Sequence, residues 1–400
     1  MRVLLATYGT RGDVEPLVAL AVRLRALGVQ VRMCAPPDEE FAQRLAGLEV
    51  ELVPVGPPVR ALMRATAPPS AAEFSQYRDE LLEAQFDIFP AAADGCGALV
   101  VAGLAQVAAR SVAEAAGIPY VYVTYSAVNL PSPHHAPPPR PGWAEPDGDH
   151  RTRWEQDARM VNEQFGASLN RHRAALGLPP VDNVRDHVYS DQPWLAADPV
   201  LGPWRETPGL DVIQTGAWTL PDERPLPADL QAFLDAGAPP VYVGFGSIRP
   251  SPDIARWSVE VSRALGYRVL VSRGWAELDM LDDQDDCFTI GEVSHQRLFG
   301  RVAAVVHHGG AGTTHTAAWA GTPQLVAPIQ LADNPYWGGR VADLEIGALL
   351  DGPPATIESL AAAFKTALAP ETRARAKALG TRIRTDGAAV AASRLVNLLR

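Results

Sequence analysis

Short, almost wholly apolar segments alternate with helical segments along most of the chain. The first apolar segment, RVLLAT, precedes a glycine-containing loop and a helical stretch that ends before Gly28, and QVRMCA, EVELVPV, ALVVAG and YVYVTY follow in the same order. Strands that are apolar on both faces indicate a parallel sheet covered by helices on both sides. This alternation predicts an α/β fold built from doubly wound parallel sheets.

The alternation occurs twice. A second series begins at PPVYVGFGS and continues through RVLVSRGW, CFTIGEV, VAAVVHHGG and PQLVAPI. A proline-rich stretch with few periodic segments, residues 199–239, separates the two series, and a length of 400 residues is enough for two domains. We therefore predict one domain over residues 1–215 and another over 216–374. The helical segment from about 375 to 400 is predicted to pack back on the first domain.

The charge of the chain excludes some partners. A net charge of −11 argues against nucleic acid and against anionic membranes, because both call for basic surfaces. The N-terminus enters a short strand directly, without the apolar region of a secretion signal, and no segment is apolar for long enough to span a bilayer. A cytoplasmic protein is expected.

The stretch HHGGAGTT, residues 307–314, stands between a predicted strand and a predicted helix. The first amides of a helix lack intrahelical acceptors, and the helix dipole adds partial positive charge there. The glycines let a ligand approach the backbone, while His308, Thr313 and Thr314 offer further donors. This pattern favours a diphosphate site over a turn that only lets strand and helix pack. His307, its neighbour on the strand, should face the core.

Other motifs are weaker. GFGS lacks the remainder of a dinucleotide-binding pattern, so a nicotinamide cofactor is not favoured. LDDQDDCF contains a D-x-D spacing, but four neighbouring acids are typical of a solvated loop, and we predict no catalytic metal. The proline-rich loop over residues 126–151 follows the strand YVYVTY at the edge of a sheet where ligands bind. The aromatic residues near it favour a large aromatic ligand, with core packing as the alternative: Tyr120, Tyr122, Tyr125 and Trp143.

These motifs together resemble one enzyme family. HHGGAGTT followed by PIQLADNPYW, with GFGS, SRGW and GEVSHQ upstream, is similar to the donor-sugar signature of GT-B nucleotide-sugar glycosyltransferases. TRGDVEPLVALAVRLRALG, SDQPWLAADPVL and QTGAWTLPDERPL resemble the enzymes that glycosylate vancomycin- and teicoplanin-type heptapeptide aglycones. NLPSPHHAPPP most resembles the branch that places the first glucose on a phenol; the vancosaminyl-type aminosugar transferases are less similar. The resemblance implies a GT-B fold, with two Rossmann-like domains facing a cleft, and a site in the second domain for the nucleotide-sugar donor, with glucose as its sugar.

The resemblance also assigns roles to residues. It places the catalytic base on Asp13, with Asp333 as a second candidate; the alternative for Asp13 is a helix cap. Because a phenol has a pKa near 10, a carboxylate in reach assists as charge develops. The resemblance also assigns each part of the donor its own contacts. At the diphosphate it places Ser247, His308, Gly310, Gly312 and Thr313; at the nucleotide base, Arg273, Trp275 and Val293; near the ribose, Gln296; and at the sugar hydroxyls, Asp333 and Asn334. Acceptor contacts are expected at Thr10, His134 and His135. Asn334 departs from the glutamine of many relatives, which leaves the sugar open.

The implied reaction is an inverting, metal-independent sugar transfer without a cofactor. Its co-substrate is a UDP- or dTDP-sugar, its partner is a glycopeptide aglycone, and a monomer is expected. Two further hypotheses are a nucleotide-sugar 2-epimerase, which shares the architecture, and a non-catalytic nucleotide-sugar sensor. Asp13 and Asp333 argue against the sensor, because a sensor needs no proton acceptor.

Overall fold

Two separate parallel sheets organise the chain in the computed structural model, which describes residues 1–64, 71–139, 147–275, 284–328, 333–350 and 355–400. We call the part that contains the first sheet unit 1; it comprises Met1–Pro199, Pro203–Leu220 and Thr385–Arg400. Unit 2 comprises Val200–Gly202 and Pro221–Arg384. The two sheets and their helices confirm the α/β fold with two Rossmann-like domains.

The strands of unit 1 are short and apolar, as predicted. Val3, Leu4 and Leu5 are fully buried, because helices cover both faces of the sheet. All neighbouring strands run parallel, in the order β3-β2-β1-β4-β5-β6-β7. The strands are β1 (Arg2–Thr7), β2 (Gln30–Ala35), β3 (Glu51–Pro54), β4 (Ala98–Ala102), β5 (Tyr120–Thr124), β6 (Trp194–Leu195) and β7 (Ile213–Gln214).

The helices of unit 1 begin and end at recognisable residues. α5 ends at Gly117, whose φ of 65° is the left-handed conformation that glycine adopts without strain. α6 is capped by Asp149, which accepts the backbone N–H of Thr152. The helices are α1 (Arg11–Ala26), α2 (Glu39–Ala46), α3 (Val59–Arg64), α4 (Ala71–Ala93), α5 (Ala109–Ala116), α6 (His150–Ala175) and α7 (Val184–Tyr189).

Unit 2 repeats the arrangement on a smaller scale. Its strands are again parallel, in the order β10-β9-β8-β11-β12-β13. Val241, Val269 and Val306 lie in its buried core. The strands are β8 (Val241–Val243), β9 (Val269–Ser272), β10 (Cys287–Ile290), β11 (Ala304–His307), β12 (Gln324–Val326) and β13 (Gly347–Leu349).

The helices of unit 2 are α8 (Ala228–Asp235), α9 (Pro252–Ala264), α10 (His295–Leu298), α11 (Ala311–Trp319), α12 (Asn334–Asp343), α13 (Ile357–Ala367) and α14 (Pro370–Gly380). The final helix, α15 (Gly387–Leu398), belongs to unit 1 and packs against α1. Among the helices that the structure describes, none is sufficiently long and apolar to pass through a bilayer.

The strand order places two loops of each unit at a switch point. In unit 1 the order reverses between β1 and β4, and in unit 2 it reverses between β8 and β11. Ligands of open parallel sheets bind beyond the carboxyl ends of the strands at such a point. The loop after β1 leads to Asp13 in the first turn of α1, Ser247 follows β8, and the glycine turn follows β11. The topology therefore brings the predicted loops to the edges where ligands bind.

Three details differ from the sequence prediction. The predicted linker, residues 199–239, contains β7 and α8, and the two units divide at Leu220 and Pro221 rather than at 215 and 216. The C-terminal segment is two helices and not one. α14 packs on α11 of unit 2, and the chain enters unit 1 only at Thr385. Helical composition alone does not show where a helix breaks.

Candidate functional site

The turn between β11 and α11 leaves the first amides of a helix without acceptors. α11 begins at Ala311 after Gly310, and no described side chain caps it. The first N–H bonded along this helix is that of Thr314, which donates to the carbonyl of Gly310 over 3.0 Å. A Cβ added to Gly312 would meet no heavy atom of the described chain within 4 Å. These open amides, together with the helix dipole, suit an anion.

The two threonines of this turn differ. Thr313 is partly exposed, whereas Thr314 is fully buried. The Thr314 hydroxyl donates to the carbonyl of Gly310 over 2.9 Å, one turn back along the helix. The prediction of a ligand-directed hydroxyl is therefore wrong for Thr314, whose hydroxyl is used within the helix.

The ring of His308 lies between glycines from two loops. A Cβ added to Gly310 would lie 2.5 Å from His308 Nε2, and one added to Gly246 would lie 3.6 Å from Cε1. Burial lowers the pKa of His308 to about 4. The ring is consequently neutral at pH 7 and offers an N–H donor rather than a positive charge. Its Nδ1 atom is buried and has no hydrogen-bond partner within the described ranges.

His307 holds the glycine turn from inside the core. It is fully buried, which confirms the prediction of a core histidine. Its Nδ1 accepts the N–H of Gly309 over 3.1 Å, so its Nε2–H donates to Gln324 Oε1 at 2.9 Å. Burial lowers the pKa of His307 to about 3, which preserves this neutral donor–acceptor form. The sequence analysis missed the role; a histidine at the end of a buried strand, immediately before glycines, is the signal for it.

The structure brings the predicted glycine turn and the Asp333–Asn334 pair into contact. Gly309 has φ of 90°, and a Cβ there would lie 2.7 Å from the carbonyl oxygen of Asn334. Asn334 is the first residue of α12 and is buried. Asp333 precedes it, and one of its carboxylate oxygens accepts the indole N–H of Trp337 over 2.8 Å. Trp337 is fully buried and was not singled out from the sequence.

Ser247, which is expected at the diphosphate, lies in the loop after β8, and the residues expected around the nucleotide base lie in the loops after β9 and β10. Trp275 donates its backbone N–H to the carbonyl of Gly246 over 2.9 Å, which joins two of these loops. Its side chain is only 6% exposed, so the ring is packed into unit 2 rather than standing open. Arg273 is exposed, and Ser247 and Val293 are partly exposed. Their contact with a nucleotide stays a prediction.

Gln296 has a partner within unit 2. Its side-chain oxygen accepts the backbone N–H of Asp222 over 3.1 Å. The neighbouring Ser294 caps α10 and donates its hydroxyl to the carbonyl of Asp222 at 2.8 Å. The loop that carries Val293 and Gln296 is thus tied to the segment around residue 222. A contact between Gln296 and the ribose is untested.

In unit 1, Asp13 lies in the first turn of α1. Thr10 is the N-cap and forms a capping box with Asp13, whose carboxylate accepts the Thr10 N–H over 2.8 Å. The helix therefore begins before Asp13, and the alternative of a helix-capping role is confirmed in a modified form: Asp13 caps α1 as the third residue of a capping box and not as the N-cap itself. A Cβ on Gly9 would lie 2.1 Å from Asp13 Oδ2, so glycine is needed there. The hydroxyl of Tyr125 donates to the Asp13 carbonyl at 3.0 Å.

The two histidines of the proline-rich loop have different surroundings. His134 is exposed, and its Nε2 lies 3.3 Å from the carbonyl oxygen of Glu206. His135 packs edge-on against Trp154, with ring centroids 5.9 Å apart. Burial lowers the pKa of His135. Of the two, His134 is the more exposed.

The aromatic residues around β5 are largely core. Tyr122 is 1% exposed and packs against Tyr189. Tyr120 donates its hydroxyl to the carbonyl of Val188 over 2.7 Å. Their interpretation as acceptor-binding surface is wrong, because both rings are used in packing. Trp143 lies outside the described residues.

Metal-ligating side chains are not clustered in the part of the chain that the structure describes: no group of three or more could hold an ion. Of the acidic loop, Asp286 forms an ion pair with Arg263 at 2.7 Å. Asp282 and Asp283 lie outside the described residues.

Comparison with known families gives a match in each half. Residues 3–130 match the model described as "Glycosyltransferase family 28 N-terminal domain". Residues 282–393 match "Erythromycin biosynthesis protein CIII-like, C-terminal domain". The two matches lie on the two series of strands found above.

Full-length relatives are also similar. The chain is 55% identical over 400 residues to vancomycin aglycone glucosyltransferase of Amycolatopsis orientalis, covering 99% of this chain and 97% of that protein. It is 51% identical over 386 residues to dTDP-epi-vancosaminyltransferase of the same organism, covering 94% and 92%. Among solved structures, the glycosyltransferase VinC in complex with DTDP matches with a TM-score of 0.69 at 20% identity, covering 100% of this chain and 99% of that one. That likeness supports the fold.

Proposed function

The chain belongs to the glycosyltransferase family of these antibiotic-modifying relatives, and we propose that it transfers glucose from a nucleotide diphosphate sugar to a phenolic hydroxyl of a vancomycin- or teicoplanin-type heptapeptide aglycone. The observation that carries this proposal is the 55% identity to vancomycin aglycone glucosyltransferase over nearly the whole of both chains. The chain is an enzyme of the sugar-transferring class; the donor, the acceptor and the residue roles below are proposals.

The glycine turn of unit 2 is proposed to bind the diphosphate of the donor. The unbonded amides at the start of α11 and the neutral ring of His308 supply hydrogen-bond donors without a metal ion. Charge accumulates on this diphosphate as the glycosidic bond to it breaks. Fixed donors that face the developing charge are the largest source of rate in many enzymes. Asp333 and Asn334, which adjoin this turn, are proposed to bind hydroxyls of the sugar.

Asp13 of unit 1 is proposed to accept the proton of the acceptor hydroxyl. A free phenol has a pKa near 10 and is a weak nucleophile at neutral pH, so proton removal has to accompany attack. The capping box supports the role because it fixes the carboxylate: the Thr10 N–H holds one oxygen of Asp13. Thr10 and His134 are proposed to contact the aglycone.

Transfer of an aminosugar is the second candidate. The 51% identity to dTDP-epi-vancosaminyltransferase favours it, since the two relatives differ little in their similarity to this chain. The donors of both reactions are bound through a diphosphate. They differ in the sugar hydroxyls and, for UDP against dTDP, at the ribose 2′ position and the base methyl.

A competition experiment tests the proposal. The protein is incubated with vancomycin aglycone and an equimolar mixture of UDP-glucose, dTDP-glucose and a dTDP-linked aminosugar, and the products are resolved by mass spectrometry. We expect an aglycone that is heavier by one hexose, together with release of the nucleoside diphosphate. Asp13→Asn serves as the inactive comparison.

An aminosugar adduct as the main product would show that the second candidate, aminosugar transfer, is the reaction, and not glucose transfer. Epimerised nucleotide sugar without an adduct, or hydrolysis alone, would overturn the proposal. Tight binding of UDP without any turnover would indicate a sensor.

A further inference from the structure

We propose that Trp337 is a positioning residue, which holds the carboxylate of Asp333 at a fixed place beside α11 and thereby produces the part of donor affinity that depends on the sugar. The inference rests on the proposed function, since it concerns how the same donor is bound. It assigns a role to a buried side chain that does not itself face a ligand.

The first contact is the hydrogen bond between Trp337 and Asp333. The Trp337 Nε1–H donates to Asp333 Oδ2 over 2.8 Å, and the indole is fully buried. Hydrogen bonds to an ionised acceptor are short and about twice as strong as neutral ones. An indole N–H can only donate a hydrogen bond, and a buried donor without an acceptor is costly, so Trp337 keeps its bond to Asp333. The carboxylate orientation is therefore fixed from the core side.

The indole itself is held on two sides. The ring of His315 meets it edge-on, with centroids 4.9 Å apart and an interplanar angle of 71°. A Cβ added to Gly202 would lie 2.7 Å from Trp337 Cη2, so the backbone of that glycine packs closely against the six-membered ring of the indole. A side chain clamped in this way cannot follow a moving carboxylate. It sets the position of Asp333 instead.

His315 links Trp337 and Asp333 to the glycine turn that is proposed to bind the diphosphate. It lies on α11 and its Nδ1 is 2.7 Å from the carbonyl oxygen of Ala311, the first residue of that helix. The chain of contacts thus runs from the start of α11 through His315 and Trp337 to Asp333. In a nucleotide sugar the sugar is joined directly to the diphosphate. A carboxylate held at a fixed distance from the glycine turn therefore meets the sugar hydroxyls, and not the nucleoside.

This geometry predicts a sugar-specific defect when the indole N–H is lost. Trp337→Phe keeps a planar aromatic ring in the core, but it removes the donor that orients Asp333 together with part of the volume of the indole. Binding of the bare nucleoside diphosphate depends on the α11 amides and on His308, which the substitution does not touch. The affinity for the nucleotide sugar should fall, and the affinity for the nucleotide should stay.

The experiment measures dissociation constants by calorimetry for UDP, UDP-glucose, dTDP and dTDP-glucose. It compares the parent with Trp337→Phe and with Trp218→Phe. Trp218 is a matched control: it is also buried, and its Nε1–H donates to Thr215 Oγ1 over 2.9 Å, but it lies in unit 1. Both substitutions therefore remove one buried indole hydrogen bond.

For the nucleotide pair that the parent binds, Trp337→Phe should raise the ratio of the sugar-nucleotide Kd to the nucleotide Kd about tenfold, the loss expected for one hydrogen bond to a charged group. Trp218→Phe should leave that ratio unchanged. An unchanged ratio in Trp337→Phe, or equal weakening of both ligands, overturns the inference while the proposed function stands. A parent that binds none of the four compounds refutes the proposed function instead.

A second variant keeps the test decisive if Trp337→Phe does not fold. Asp333→Asn preserves the shape of the side chain and should give the same sugar-specific loss. In a soluble double variant the two losses should not add, because both remove the same carboxylate–sugar contact. A normal ratio in Asp333→Asn contradicts the inference.

Discussion

At the scale of single residues, the site depends on groups whose ordinary behaviour is altered by what they touch. His308 is neutral because burial opposes its charged form, so at pH 7 it acts as a donor only. Asp13 serves as the third residue of a helix, and its carboxylate is oriented by the Thr10 amide. The surroundings and hydrogen-bond partners of these side chains thus decide which role each can have in the reaction.

Replacing Asp13 with asparagine should slow the sugar transfer. The amide keeps the size of the side chain but cannot accept a proton, so we expect kcat to fall by a factor of about 10² to 10⁴. The measurement is the initial rate of glycosylated aglycone formation at saturating donor. Affinity for UDP, which unit 2 is proposed to bind, should not change.

Asp149→Asn is the matched control for that prediction. Asp149 also acts at a helix N-terminus, where asparagine caps about as well as aspartate. Its substitution should leave kcat unaltered. Equal rates for the parent and Asp13→Asn would rule Asp13 out as the base.

Replacing His308 with alanine should weaken the binding of UDP by about tenfold, as expected when one hydrogen bond to a charged ligand is lost. Since the pKa of His308 is about 4, the ring stays neutral from pH 6 to pH 8. The ratio of Kd between the parent and the variant should therefore be the same at both pH values. Calorimetry at pH 6 and pH 8 checks this, with the exposed His134→Ala as control. A ratio that changes tenfold over this range would mean that His308 titrates near neutrality.

At the scale of elements, one turn and the start of one helix define the site. β11, the glycines and α11 form a strand–turn–helix unit, and the start of α12 packs against that turn. Gly309 is the point of contact. Its left-handed backbone and its proximity to the Asn334 carbonyl leave no room for a side chain. The strand–turn–helix unit therefore positions the hydrogen-bond donors, and its close contact with the start of α12 positions Asp333 and Asn334.

Gly309→Ala should destabilise unit 2 by about 1 to 3 kcal/mol, the usual cost of a strained backbone conformation. The added methyl would also press on Asn334. Gly339→Ala is the control, because that glycine lies within α12 and a Cβ there meets nothing within 4 Å of the described chain. Alanine in a helix should leave stability unchanged or raise it by up to about 1 kcal/mol. Urea unfolding of the two variants checks the difference; equal midpoints would contradict it.

At the scale of the whole molecule, both units contain buried histidines that the fold keeps neutral. Burial lowers the pKa of His187 in unit 1 to about 4, and in unit 2 it lowers the pKa values of His307 and His308 to about 3 and 4. In the unfolded chain a histidine has a pKa near 6.5. Each folded unit thus binds protons less readily than the unfolded chain, which makes its stability depend on pH.

The free energy of unfolding should fall on acidification from pH 6.5 to pH 5. Over that window the unfolded state takes up protons that the folded state does not. The contribution of these histidines to the free energy of unfolding is therefore fully present above pH 6.5 and is lost as the pH falls toward their folded pKa values. Each such histidine contributes a slope of up to about 1.4 kcal/mol per pH unit. Urea titrations at several pH values measure the slope. His307→Gln, which removes one of these groups, should have a shallower dependence; a flat profile in the parent would contradict the prediction.

Much of the fold followed from pattern, and the exceptions have physical causes. The apolar strands β1, β2, β4 and β5 lie where RVLLAT, QVRMCA, ALVVAG and YVYVTY predict them. The two-residue strands β6 and β7 were not predicted, because two residues carry no periodicity. α1 begins at Arg11, where the capping box of Thr10 and Asp13 fixes its start, before the first buried apolar residue of the helix, Val14.

The sequence by itself determined the fold class, the family and the loops that carry the site. Apolar periodicity and glycine spacing are local features of the sequence. Backbone sterics and helix dipoles turn them into strands, helices and turns without the help of distant segments. Only the tertiary structure decided which side chains meet. Burial made Tyr120 and Tyr122 core residues, placed His307 under the glycine turn, and joined Trp337 to Asp333 and His315. Such contacts depend on packing and desolvation between segments, and no pattern within one segment encodes them.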